Sequence, residues 1–335
     1  MKSVRLVSMI LLAFLSAVTL AGCVSALRAP SGGASGAIAD PTASVPDRGA
    51  APTVPSASAS PSPSPVPATS TPHPATVFLD PGHGGVDTGT IGYTDDGTVV
   101  EEKTIALAIA RQTASDLERD GIAVALSRAN DSLPGIQPSD YEPDGTSLTA
   151  NGVLDDLQRR IDRANASGAR VLLSIHLNAF EDPSIGGTQT FYDSSRPFAA
   201  QNARFATLIQ NDLIAALRAG GYDTPDRGIT QDQDLITDRF DTLGDGYHHL
   251  VLLGPAVPGR LRPSAMPGAL NESLFLSDPA EATAAAQPGT QNLIARAYTQ
   301  AIEQFLGIAG SATSPITPSL LGAGARSRGS DRRSD

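Results

Sequence analysis

The sequence predicts an α/β fold for residues 75–308: a single domain with a central mixed, largely parallel sheet flanked by helices. Three observations carry that expectation. Short apolar runs alternate with longer helical stretches, the pattern of βαβ units covered by helices. The run Ala75-Thr76-Val77-Phe78-Leu79 stops at Asp80-Pro81-Gly82-His83-Gly84-Gly85, a sharp turn after a buried strand. A second run, Val171-Leu172-Leu173-Ser174-Ile175, also ends in an imidazole, at His176. In open α/β sheets the C-terminal ends of strands are where ligands bind.

Taken in order, a strand over 75–80 and its glycine turn lead to a helix over 101–120, which Gly121 terminates before a strand over 122–127. A Pro/Gly/Asp-rich loop over 130–150 precedes a helix over 152–167. Strands follow over 170–176 and 187–192, then a helix over 198–219. Strand-like pieces over 227–236 and 249–253 and a helix over 289–306 complete the domain. No internal repeat is visible.

The N-terminal part is of another kind. Lys2 and Arg5 precede an apolar stretch over 6–20, too short and wrongly flanked for a membrane span, so residues 1–22 read as a secretory signal peptide. From Cys23 to residue 74 the chain is nearly all Ala, Ser, Pro, Gly and Thr, a composition for a disordered, partly polyproline-II spacer. At about 3.1 Å per residue, ~50 such residues reach on the order of 150 Å. The Ser/Gly/Arg-rich tail over 309–335 reads as disordered as well.

The formal net charge is −11 and there is no Trp. An acidic chain without a Lys/Arg cluster is unsuited to nucleic acid, so none is expected as a partner. Cys23 is the single cysteine, which excludes disulfides within the chain. Stability must then come from an apolar core, to which a metal could add. Two histidines at the ends of two core strands suggest that metal, and Glu102 could complete the set. The oligomeric state is open. His248-His249 read as solvated loop residues.

Leu20-Ala21-Gly22-Cys23 resembles the lipobox of bacterial lipoproteins, where the cysteine is lipidated and tethers the mature protein to the membrane, here on the face toward the cell wall. Over most of 75–308 the chain resembles the zinc-dependent N-acetylmuramoyl-L-alanine amidases, specifically the type 3 catalytic domain. The resemblance rests on Asp80 to Gly85 with Asp87 and Gly89, on Glu102-Lys103 opening a helix with Ile105, Leu107 and Ile109, on Arg160 with Ala164-Asn165, and on Ser174-Ile175-His176-Leu177-Asn178. It implies a Zn²⁺ cofactor held by His83, Glu102 and His176, with Asp87 and Asn178 supporting them. It implies peptidoglycan as substrate, cut at the amide between N-acetylmuramic acid and L-alanine. Glu102 rather than Glu101 matches the family ligand, because Lys103 follows it.

Pro267 stands before the family's last strand, and Glu272, Phe275, Leu276 and Ser277 align with its catalytic segment, which makes Glu272 the general base. Ser273, Leu274 and Asp278 depart from that segment; Leu274 replaces a glycine. Arg227-Gly228-Ile229 matches a family segment that shapes the cleft. Two rival readings stay open on these residues: a catalytically silent peptidoglycan-binding or regulatory domain, and a zinc peptidase acting within the stem peptide.

Overall fold

Apolar runs that need cover on both sides dictate the middle of the sheet. In the computed structural model, which describes residues 76–234, 243 and 247–308, Val77–Pro81 (β1) is buried along its whole length and Val171–Asn178 (β5) nearly so. The signal segment, the spacer with Cys23, and the tail lie outside the described residues. The other strands are Ile91–Tyr93 (β2), Val99–Glu101 (β3), Val124–Leu126 (β4), Thr188–Tyr192 (β6), Asp226–Gln231 (β7) and Gly268–Phe275 (β8). The helices are Glu102–Arg119 (α1), Ala150–Ser167 (α2), Ala199–Ala219 (α3), Pro279–Ala286 (α4) and Pro288–Leu306 (α5).

Six strands form one sheet in the order β4-β1-β5-β8-β6-β7, while β2 and β3 pair separately as a hairpin. β4, β1, β5 and β8 are mutually parallel; β6 meets β8 antiparallel and carries β7 parallel to itself. The sheet is therefore mixed and mostly parallel, as its α/β pattern predicts.

Pleating divides the side chains between two apolar layers. Val77, Leu79, Leu173 and Ile175 pack with Ile105 of α1, Phe205 of α3 and Tyr298 of α5. Phe78, Leu172 and Leu270 pack on the other face with Ile161 and Ala164 of α2. Helix ends follow local chemistry. Thr149 caps α2 by accepting from the Gly152 amide, which starts the helix two residues before the expected 152, and Gly168 closes it at φ 68°.

The segment 249–253 corrects the sequence reading. It forms turns, closed by the Leu253 and Gly254 amides donating to the Leu250 carbonyl, rather than a strand. Val251, Leu252 and Leu253 are buried under the α2 face of the sheet, so the run is apolar because it is covered and not because it pairs. Of the piece over 227–236, β7 takes Asp226–Gln231 and a single 3₁₀ turn takes Asp232–Asp234; residues 235 and 236 lie outside the described residues. The short hairpin of β2 and β3 and helix α4 have no counterpart in the sequence expectation. For α4 a signal existed: Asp278 accepts from the Ala280 and Glu281 amides and Pro279 occupies the first turn. No helix among the described residues is long and apolar enough to cross a membrane.

Candidate metal centre

The turn after β1 is held in a conformation that side chains avoid. His83 sits at φ 60° and is the only non-glycine residue with positive φ among the described residues, between Gly82 and Gly84-Gly85. Such a residue costs about 1–3 kcal/mol and persists only where its surroundings over-determine it. Two buried arginines do so. Arg160, from α2, donates to the carbonyls of Pro81 at 2.9 Å and His83 at 2.7 Å. Arg128 donates to the carbonyls of Pro81 at 3.1 Å and Gly82 at 2.7 Å. Lys103 adds a bond to the Gly85 carbonyl at 2.7 Å.

The result brings His83 against Glu102, the first residue of α1, and His176, near the end of β5. Their ligand-type atoms lie within 4.8 Å of one another. His83 Nδ1 is 2.8 Å from Asp87 Oδ2, a contact that places a proton on Nδ1, so that the neutral ring presents its lone pair at Nε2. His83 Nε2 is buried, has no hydrogen-bond partner, and stands 3.1 Å from Glu102 Oε1. His176 Nδ1 is 2.9 Å from the same oxygen, while its Nε2 is 3.1 Å from Ser174 Oγ.

A chain of donors fixes that second ring. Ser174 Oγ lies 2.8 Å from Asp80 Oδ2, and Asp80 Oδ1 accepts from Arg160 Nη1 at 2.9 Å. With Ser174 donating to Asp80 and the imidazole Nε2–H donating to Ser174, His176 Nδ1 presents its lone pair to Glu102. Glu102 is itself oriented by the amides of Thr90 at 2.8 Å and Leu177 at 3.1 Å. Three electron-rich atoms thus converge with 1% of the Glu102 side chain exposed. Positive charge, carried by a proton on an imidazole or by a metal ion between the three, reconciles that arrangement.

Without a metal, the imidazoles themselves supply that charge. Burial pulls the His83 imidazolium down, yet the Glu102 and Asp87 carboxylates outweigh it and raise His83 to about 10. Burial disfavours the Glu102 carboxylate, but His83 and His176 hold it well below the usual carboxylate range. The backbone leaves room for this crowding. A Cβ on Gly82 would stand 2.2 Å from His176 Cε1, and one on Gly89 would stand 2.6 Å from Glu102 Oε2. These residues, two imidazoles and a carboxylate cradled by glycines, fit a metal ion of the kind that takes N and O ligands.

Glu101, the neighbouring carboxylate, points away: 37% of its side chain is exposed and it pairs with Lys103 Nζ at 3.6 Å. Asp87 supports His83, as above, whereas Asn178 holds backbone, accepting from the Ala179 amide through Oδ1 and from the Leu276 amide through its carbonyl.

Glu272 lies on β8, in register with His176 on β5 and only 5% exposed. Register partners on adjacent strands project to one face about 4.8 Å apart, which sets Glu272 on the His176 side of the sheet. Leu274, which stands where the resemblance has glycine, is 1% exposed in the main apolar cluster and needs no positive φ. Asp278 is the cap of α4. Arg227, at the start of β7, donates to the Gly186 carbonyl at 3.2 Å and stacks 5.2 Å over the Phe275 ring at the end of β8.

Sequence reasoning missed Arg128 and Glu281, which hold this edge without touching the three donors. Glu281 accepts from the amides of Gly187 at 2.8 Å and Phe275 at 2.7 Å, so it ties the end of β8 to the chain before β6. Neither has a sequence signal beyond being charged. His248 is exposed, as expected of a loop residue; His249 is not, since it packs against Asp193 at 2.7 Å.

The chain matches the sequence profile of the N-acetylmuramoyl-L-alanine amidases over residues 77–304. It is 29% identical over 229 residues to the germination-specific N-acetylmuramoyl-L-alanine amidase of Bacillus subtilis, covering 68% of this chain and 78% of that protein. It is 35% identical over 154 residues to the N-acetylmuramoyl-L-alanine amidase LytC of Bacillus subtilis, a match of 46% of this chain and 25% of LytC. Among solved structures it is similar to the CwlD amidase from Clostridioides difficile, determined in complex with the GerS lipoprotein. That similarity has a TM-score of 0.51 at 27% identity and covers 70% of this chain and 100% of CwlD.

Proposed function

The chain belongs to the N-acetylmuramoyl-L-alanine amidase family, hydrolases of the amide that joins N-acetylmuramic acid to L-alanine in peptidoglycan, and we propose that it performs this hydrolysis with zinc held by His83, Glu102 and His176. The convergence of three lone-pair-bearing atoms on one buried point carries the proposal. Zinc bound by three N/O ligands supplies an activated water and a Lewis acid for the amide carbonyl. The protein's own groups do the rest.

Asp87 and the Ser174–Asp80–Arg160 chain hold both imidazoles in orientation and accept the hydrogen bond of the nitrogen that faces away from the metal. Glu272, in register with His176, takes the proton of the attacking water and delivers a proton to the departing alanine nitrogen. Mass analysis of purified peptidoglycan digested by the enzyme tests the bond. Free stem peptides beginning at L-alanine are expected. Peptides cut internally would make the protein a stem peptidase, and unchanged material would make it a binding domain.

We further propose that Cys23 carries a lipid anchor after removal of residues 1–22, and that the 23–74 spacer lets the catalytic domain work at a distance from the membrane toward the wall. The support is the segment Leu20-Ala21-Gly22-Cys23 behind an apolar signal stretch. Since one acyl chain binds only marginally, stable attachment requires more than one. Cys23→Ser should release the protein from membranes or block its processing. A correctly cleaved Cys23→Ser protein that still required detergent for extraction would refute the anchor.

A further inference from the structure

A second convergence of ligand atoms lies across the sheet from the first. β6 and β7 run opposite to β5 and β8, so the residues just after β6 and β7, Asp193 and Asp232, sit at the edge where β5 and β8 begin. The register Tyr192↔Gln231 places them side by side. His249 reaches them from the turn segment that precedes β8. Both aspartates are 0% exposed.

Each carboxylate is held by one oxygen and turns the other toward the imidazole. Asp193 Oδ1 accepts from the amides of Ser195 at 2.7 Å and Arg196 at 2.9 Å and from Ser195 Oγ at 2.8 Å. Asp232 Oδ2 accepts from the Leu250 amide at 3.1 Å. The remaining atoms, Asp193 Oδ2, Asp232 Oδ1 and His249 Nδ1, are buried without a hydrogen-bond partner. They face one another: the imidazole nitrogen is 2.7 Å from Asp193 Oδ2 and 3.5 Å from Asp232 Oδ1, with all three atoms within 4.8 Å.

Two carboxylates removed from water need a compensating proton or positive charge. Burial and the neighbouring Asp193 push Asp232 up to about 8, so a metal ion here would take the place of its proton. Arg196, which packs nearby, does not supply an ion pair. Its guanidinium donates instead to the carbonyls of Leu253 at 3.1 Å, Gly254 at 2.7 Å and Ser264. One imidazole with two carboxylates, each pre-oriented through its other oxygen, is a donor set for a borderline divalent transition ion and not for magnesium or calcium.

We propose that Asp193, Asp232 and His249 bind a second Zn²⁺ ion, which fastens the segment carrying Val251, Leu252 and Leu253 to the ends of β6 and β7. The role is structural, since the site lies at the far edge from Glu272 and His176. The inference stands on these three residues and does not depend on the amidase reading.

Zinc counting on the full-length protein, loaded with Zn²⁺ and freed of excess, tests it. About two ions per chain are expected in the unsubstituted protein, about one in His249→Ala, and about one in His83→Ala/His176→Ala. His249→Ala should retain peptidoglycan hydrolysis at low temperature but unfold at a lower midpoint. Unchanged zinc stoichiometry in a folded His249→Ala protein would overturn the proposal. Should His249→Ala fail to fold, the double variant decides: a folded protein that binds no zinc refutes the second site, and one that keeps an ion supports it.

Discussion

Removal of metal should abolish amide hydrolysis, and Zn²⁺ should restore it. His83, Glu102 and His176 come from a turn, a helix start and a strand, and their ligand-type atoms approach within 4.8 Å of one another, a spacing that a metal ion would fill. A Lewis acid is worth several kcal/mol of transition-state stabilisation, and ~1.4 kcal/mol is a factor of ten in rate. His176→Ala should therefore lower turnover by roughly three orders of magnitude or more. The same variant should shed about one zinc ion relative to the unsubstituted chain.

The domain should stay folded, because β5 is fastened by Val171, Leu172, Leu173 and Ile175, each 0% exposed, and not by the imidazole. Zinc analysis beside circular dichroism separates loss of metal from loss of fold. Full zinc content in a folded but inactive His176→Ala protein would remove His176 from the ligand set.

Glu272→Gln should collapse turnover by about 10²–10⁴-fold with zinc content and thermal midpoint near those of the unsubstituted protein. The amide matches the carboxylate in size and polarity but cannot accept the water's proton. Position supports the assignment: Glu272 is in register with His176 and 5% exposed. The variant has two informative failures. If it remains fully active, the base is another carboxylate, with Asp87 the next to test. If it loses zinc, Glu272 is a ligand, and its role has to be exchanged with that of Glu102.

Much of this fold is visible in the sequence for a simple reason. Strands covered on both faces must be apolar throughout, and helices on a sheet must carry a stripe, so β1, β5, α1, α2, α3 and α5 announce themselves within a few residues of their ends. Caps sharpen some limits; Gly121 at φ 80° marks the end of α1 as the sequence implies. Elements whose residues pack for tertiary reasons are hidden. The run Val251-Leu252-Leu253 has the composition of a strand, yet it is buried in turns because a neighbouring strand, β8, already occupies the place beside β5. The β2–β3 hairpin offers three residues per strand, too few for a periodic signal.

The site divides along the same line. The sequence by itself determined the chemical types and their sites of attachment: an imidazole after β1, an imidazole near the end of β5, a carboxylate opening α1, and glycines in the turn after β1. Spacing along the chain carries such information because strand ends and helix starts are local events. Choosing Glu102 over Glu101 on geometry, fixing each imidazole's ligating nitrogen through Asp87 and Ser174, and enlisting Arg128 and Arg160 to hold the strained turn were decided only by tertiary structure. So was the meeting of Asp193, Asp232 and His249, since hydrogen-bond direction and the electrostatics of burial depend on distances between segments that the chain order leaves free.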